Sequence, residues 1–284
     1  MSELIINLTH DVDRVHKTFQ YFTRDLLRGQ FKNMKSLFSR ENPYWGFEHI
    51  IEIEKAYNVR STFFFLEESI KCNLISPKSW YLALGRYKFK DPAVSKTIKN
   101  LDAGGWEIGL HGSYNSFRSL KLLKNEKASL EKALNKKVIG IRQHHLNLDI
   151  PETWKLQKMA GFFYDATYGK NNFVGFLNDK FRAFINKESG MFIIPLSLMD
   201  ASLFNLAKNI SKAWEICKSL IETAERESAI LSVLWHQRFF NEKEFPGYSK
   251  IYEMIIEECK NRNARFLTCG EIFEGNFNNQ NSRF

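Results

Sequence analysis

The chain has 284 residues, 44% of them hydrophobic and 26% charged, an ordinary globular make-up with enough length for one large core. No run approaches the ~18 apolar residues of a membrane-spanning helix, so a span is excluded. The formal net charge is +9, but Lys and Arg are spread over helical surfaces without a long basic block, which argues against nucleic acid.

From the N-terminus onward, short β-type runs alternate with helical stretches. Strands are expected at Leu4–Thr9, Ser61–Leu66, Trp106–Leu110, Val138–Arg142, Phe162–Tyr164, Met191–Pro195 and Ala229–Trp235. The apolar spacing predicts helices at Val15–Ser39, Gly46–Tyr57, Asp91–Ala103, Ser119–Leu134, Pro151–Ala160, Ser202–Glu227 and Tyr248–Arg262. Gly104-Gly105 reads as a helix stop, Pro151 as a first-turn residue and Gly161 as the end of that helix. The alternation predicts an α/β protein with a parallel sheet, in a single domain over residues 1–274, with the Asn-rich stretch Gly275–Phe284 as a flexible tail.

The N-terminal residues enter a strand without a basic region or a small-residue cleavage site, so a cytoplasmic protein is expected. Cys72, Cys217, Cys259 and Cys269 form no CxxC pair and read as free thiols. The surplus of positive charge suits an anionic substrate, such as a sugar on a nucleotide or lipid diphosphate. It equally suits peripheral contact with an anionic membrane face, or a solvated surface without a partner.

Polar residues gather where the strands end. Leu4–Thr9 runs into His10-Asp11-Val12-Asp13, and Trp106–Leu110 into His111-Gly112-Ser113-Tyr114-Asn115. Val138–Ile141 leads to Arg142-Gln143-His144-His145, Phe162–Tyr164 to Asp165, Phe192–Leu198 to Asp200, and Ala229–Leu234 to Trp235-His236. In a parallel barrel these ends share one face, where such enzymes place their active sites. Asp11 and Asp13 have the same parity in extended backbone, and two close carboxylates need a cation or donors between them. They fit a metal ligand plus a base, or a pair of helix N-cap carboxylates. His111 is a metal ligand or a hydrogen-bonded structural histidine. Arg142 and His144 share parity, and Arg142 beside Asp11 would lower that carboxylate's pKa and fix its direction. His236 suits a general acid, because imidazole changes charge near neutral pH. Tyr114, Tyr168 and Trp235 are candidates for stacking on a sugar ring, or for core and rim packing.

In this order the motifs resemble those of the NodB-homology polysaccharide deacetylases, carbohydrate esterase family 4, from Thr9 to about Gly247. The family folds as a distorted (β/α) barrel, here of about seven parallel strands, and this is the fold expected. Thr9-His10-Asp11-Val12-Asp13 is similar to a DxD form of the first motif, implying Asp11 as catalytic base and Asp13 as metal ligand. The second motif, H-[ST]-x-x-H, keeps its first histidine as His111 and has Asn115 in place of the second. Arg142-Gln143-His144 resembles R-x-P with His for Pro, so His144 is the replacement ligand, with Asn115 or a water as rivals. Tyr164-Asp165-Ala166-Thr167 is similar to Y-D-S-S, giving Asp165 a substrate-binding or supporting role; Asp200 is placed with the substrate-binding residues. Leu234-Trp235-His236 resembles L-x-H, which makes His236 the acid.

The resemblance implies hydrolysis of an amino sugar's N-acetyl group with one divalent metal, zinc first and cobalt, nickel or manganese as alternatives. Its setting would be surface-polysaccharide biosynthesis, in the cytoplasm or at the inner membrane face, on a carbohydrate with or without a nucleotide or lipid diphosphate carrier. The alternatives are a sugar deformylase and a carbohydrate-binding protein of the same fold without catalysis. Nucleic acid is not expected as a partner.

Overall fold

The computed structural model describes residues 3–16, 42, 44–73, 75–83 and 85–281. The strands are β1 (Ile5–Val12), β2 (Thr62–Leu66), β3 (Glu107–Gly112), β4 (Gly140–Gln143), β5 (Tyr164–Asp165), β6 (Phe184–Ile185), β7 (Phe192–Ile193), β8 (Leu198–Met199), β9 (Ile230–Leu234) and β10 (Arg265–Phe266). They form one 10-stranded sheet in the order β6-β7-β5-β4-β3-β2-β1-β9-β8, with β10 added beside β1. All pairings are parallel except β6 with β7, so the sheet curls as a distorted, open β/α barrel. Among the described residues its two edge strands are not paired with each other. The gap is bridged by single backbone bonds, from Gly175 N to Ser197 O (2.8 Å) and from Ile230 N to Phe181 O (2.8 Å).

Parity decides what each strand shows to each layer. In β1, Ile6, Leu8 and Val12 join the main core against the helices, as do Phe63 and Phe65 of β2. Phe64 turns the other way and packs with Tyr164, Ile194 and Ile230. Asn7, Thr9 and Asp11 share the inward parity, so the barrel has a polar lining that satisfies itself. Ser232 Oγ donates to Asn7 Oδ1 (2.9 Å), Asn7 Nδ2 to Leu267 O (2.9 Å) and Thr9 Oγ1 to Val233 O (2.8 Å). His10 faces the helices instead. It is fully buried, with Nδ1 2.6 Å from Trp235 O and Nε2 2.9 Å from Glu54 Oε1. It belongs to the core around α1 (Phe47–Ala56), which carries Glu54.

The other helices are α2 (Pro77–Ala83), α3 (Pro92–Ala103), α4 (Leu120–Leu134), α5 (Glu152–Met159), α6 (Asp200–Ala207), α7 (Ile210–Arg226), α8 (Tyr248–Asn261) and α9 (Cys269–Asn281). The expected helix Val15–Ser39 lies for the most part outside the described residues. The single helix expected over Ser202–Glu227 is two. Lys208 adopts φ +63°, and the Asn209 side chain accepts from Lys212 N (2.8 Å), capping α7 where neither Gly nor Pro marks a break. Gly105 and Gly161 end their helices at φ +88° and +84°, conformations that only glycine adopts without strain. Pro151 caps α5 from outside rather than entering its first turn. Helix α9 enters the segment expected to be a loose tail. No helix among the described residues is long and apolar enough to cross a membrane.

Candidate active site

Register sets the site. Asp11 pairs with Phe64, Leu66 with His111, and His111 with Arg142, so the C-terminal ends of β1 to β4 come level. Strand β1 extends to Val12, beyond the expected end at Thr9. Asp11 is therefore held within the strand and Asp13 is the first residue past it. Arg142 is wholly buried, its guanidinium stacked over the Phe64 ring at 4.6 Å. Its Nη1 donates to Asp11 Oδ1 (2.9 Å) and Thr9 Oγ1 (2.8 Å), and its Nε to Ala166 O (2.9 Å). Burial alone would raise the Asp11 pKa. His111, Arg142 and His236 outweigh it, and the carboxylate is held below its ordinary range.

Next to Asp11, the ligating atoms of Asp13, His111 and His144 lie within 4.8 Å of one another. Asp13 Oδ1 is 3.4 Å from His111 Nε2 and 3.5 Å from His144 Nε2. Those separations are long for hydrogen bonds, yet they match the edge of about 3.4 Å that ~2.1 Å bonds give around a tetrahedral zinc. Asp13 Oδ1 is buried with no hydrogen-bond partner among the described residues, an arrangement that a cation would satisfy. Both imidazoles suit the part. His111 Nδ1 lies 3.0 Å from Arg142 O and must donate to it, so that in the neutral ring the Nε2 lone pair faces the cluster. Burial, with Arg86 and His111 nearby, lowers the His144 pKa to about 4, so this ring is neutral at pH 7. Burial opposes ionisation of Asp13, but its cationic and imidazole neighbours hold its pKa well below the ordinary value. The donor set therefore fits a divalent ion. The Asp13 side chain is 31% exposed, so the cluster opens to solvent.

His236 follows β9 and is near enough to Asp11 to lower its pKa. Its Nδ1 is 2.9 Å from Asp200 Oδ1, and Asp200 is fully buried at the start of α6, so Nδ1–H donates and Nε2 is turned away from the carboxylate. The His236 backbone N–H donates to Asp200 Oδ2 as well. Burial would lower the imidazole pKa, but Asp200 overrides it, with help from Asp13 and Asp11, and the value is raised to about 9.

The remaining expected residues fall elsewhere. Asn115 is exposed on the turn after β3, and His144 is a residue that meets Asp13 and His111. Asp165 is fully buried and accepts from Trp154 Nε1, Gln157 Nε2, Thr167 N and Thr167 Oγ1; it holds the β5 turn and offers nothing to a substrate. Asp200, placed with the substrate-binding residues from sequence, backs His236 instead. Trp235 is also fully buried, between Phe204 and Tyr252, and has no face to give a sugar. Trp235→Ala is expected to destabilise the fold by about 3–5 kcal/mol in denaturant unfolding, the usual loss for a large core aromatic. Tyr114 is half-buried at the rim, edge-on to the exposed ring of His145 at 5.5 Å. Tyr168 is half-buried among Trp154 and Phe184, its hydroxyl accepting from Asn178.

Two residues escaped the sequence reading. Glu68 follows β2 and places a buried carboxylate behind His144, with Oε2 3.7 Å from Nδ1. The same rule that singled out the other strand ends applies to Glu67-Glu68 after Leu66. Arg86 sends Nη1 to Asp13 O (2.6 Å) and Nη2 to within 3.4 Å of His144 Nε2. It lies in a connection after α2, and nothing in its local sequence marks it.

No family model and no curated protein matches the sequence. Solved structures do match. A protein assigned as a polysaccharide deacetylase from Mycobacterium smegmatis superposes with a TM-score of 0.62 at 16% identity, covering 97% of this chain and 91% of that one. One so assigned from Pseudomonas aeruginosa PAO1 gives 0.61 at 14%, covering 95% and 89%. An allantoinase gives 0.62 at 16%, again covering 95% and 89%. The chain has the distorted β/α-barrel fold of the polysaccharide deacetylases.

Proposed function

We propose that this chain is a NodB-type carbohydrate N-deacetylase, which removes the acetyl group of an amino sugar with the help of one divalent metal. Shared fold does not choose the substrate, since an allantoinase has it too; the site must. The observation that supports the reading is one cluster. Three donor atoms at metal spacing lie beside an Arg-held carboxylate, and an Asp-backed histidine is near enough to act on that carboxylate.

Asp13, His111 and His144 would hold the ion, zinc first by its preference for imidazole and carboxylate. Once bound, it supplies a Lewis acid for the amide carbonyl. Asp11, kept ionised and oriented by Arg142, accepts the proton of the attacking water. His236 Nε2–H donates to the departing sugar amine, and acetate leaves. The rim pair Tyr114 and His145 offers aromatic surface for a sugar. The net charge of +9 favours an anionic carrier, a nucleotide or lipid diphosphate, as in surface-polysaccharide assembly on the cytoplasmic side of a membrane.

The test is elemental analysis of the purified wild type beside His111→Ala, His144→Ala and Asn115→Ala, with acid release from N-acetylated amino-sugar substrates followed by mass spectrometry. About one equivalent of metal is expected in wild type and Asn115→Ala, and little in either histidine variant. Acetate is the expected acid; formate would move the reading to a deformylase. Wild type that stays free of metal after addition of zinc, cobalt, nickel and manganese would make it a carbohydrate-binding protein without catalysis.

A further inference from the structure

We propose that Glu68 is the positioning residue for His144, fixing its tautomer so that the Nε2 lone pair points into the cluster. The inference rests on the ligand set of the proposed deacetylase and deepens it. His144 reaches the cluster by an unusual route. It opens the short turn after β4, and the next two residues, His145 and Leu146, sit at φ +60° and +55°. Two successive non-glycine residues in that region mark a backbone bent against its preference, a feature that gathers at functional sites. A ligand on such a turn lacks the support that β3 gives His111, so its ring must be fixed through its side chain.

The two histidines meet this need differently. His111 spends Nδ1–H on the carbonyl of Arg142, its register partner on β4. His144 Nδ1 is buried with no hydrogen-bond partner among the described residues, and the Glu68 carboxylate 3.7 Å away is the anion facing it. Glu68 is itself held. Its side chain is 1% exposed, Oε1 accepts from Ile70 N (3.0 Å) and Oε2 from Tyr114 N (3.2 Å). Those bonds leave lone-pair capacity on Oε2, on the His144 side. A small closure of the gap completes a carboxylate–histidine pair of the kind that orients ligating imidazoles and raises their basicity. On the other edge of the ring, Arg86 Nη2 lies 3.4 Å from Nε2. An arginine can only donate, so Nε2 is the acceptor, with a lone pair that a bound ion would take over from Arg86, and Nδ1 carries the proton that faces Glu68.

The experiment compares wild type, Glu68→Gln and Glu68→Ala for zinc affinity, by competition with a chromophoric chelator, and for the visible spectrum of the cobalt(II) form. Thermal unfolding of the metal-free proteins runs alongside. An amide oxygen still accepts from Nδ1–H but is less basic, so a graded series is expected. Zinc affinity should fall about 10-fold in Glu68→Gln and about 100-fold in Glu68→Ala, with the cobalt bands shifted in both. If Glu68→Ala does not fold, Glu68→Gln with wild-type thermal stability decides the matter by the same 10-fold criterion. Wild-type affinity in either variant overturns the proposal. So does an equal loss in both that tracks an equal loss of metal-free stability, the mark of a merely structural side chain. A wild type that binds neither zinc nor cobalt overturns the metal site itself, a different failure.

Discussion

Asp11→Asn is expected to lower turnover by about 10²–10⁴-fold, the usual contribution of a positioned acid or base, while leaving metal content near one equivalent and KM little changed. The substitution is nearly isosteric, and its amide oxygen still accepts from Arg142 Nη1, so the buried guanidinium keeps a partner. What disappears is the capacity to take a proton. The choice of Asp11 over Asp13 follows from their surroundings. Asp11 lies 3% exposed against Arg142, whereas Asp13 Oδ1 is the oxygen pointed at both imidazoles. Asp13→Asn should therefore lose metal first and activity as a consequence. Steady-state kinetics on metal-loaded protein, with metal content measured on the same samples, separates the two. Near-normal turnover in Asp11→Asn would move the base to another group.

The fold was legible because buried parallel strands write themselves plainly. Residues 63–66 are a run of buried apolar residues, and Gly105 and Gly161 sit where the chain needs a turn that only glycine makes easily. The two-residue strands β6, β8 and β10 escape such a reading, whereas β5 and β7, equally short, fall at the apolar runs Phe162–Tyr164 and Met191–Pro195 that mark them. The break between α6 and α7 was hidden because an Asn cap and a left-handed Lys made it, not Gly or Pro. At the site, strand-end polarity found the residues that meet there, Asp11, Asp13, His111, Arg142, His144 and His236. It does not separate a group that faces solvent from one that faces the core. Asp165 and Trp235 end strands as the others do, yet their partners are Thr167, Gln157, Phe204 and Tyr252. Arg86 was beyond reach for the opposite reason, since what brings it to the site is its long-range bond to Asp13 O rather than any local periodicity.

Asp200→Asn should cut turnover by about 10²–10⁴-fold and move the alkaline limb of the pH profile downward, by its effect on His236. His236 acts as an acid only while it is protonated. Burial works against that, and Asp200 is the carboxylate that reverses the balance and raises the pKa to about 9. The alkaline limb of kcat/KM in wild type is thus expected near pH 9, well above the ordinary histidine value. Without the Asp200 charge, burial is opposed only by Asp13 and Asp11, and the limb moves down toward the ordinary histidine pKa of about 6.5. Stability follows with its own sign. A pKa raised on folding stabilises the protein fully below the unfolded pKa, and that contribution is lost as pH rises through the folded one. Wild type should lose this contribution between about pH 6.5 and pH 9, and Asp200→Asn should show a smaller loss in denaturant titrations across that window. The two readouts check each other. A pH–rate limb that stays in place in Asp200→Asn would mean that His236 is not the acid, even if stability shifts as described. If both stay unmoved, Asp200 does not hold the proton on His236, and the pair acts only to orient the ring.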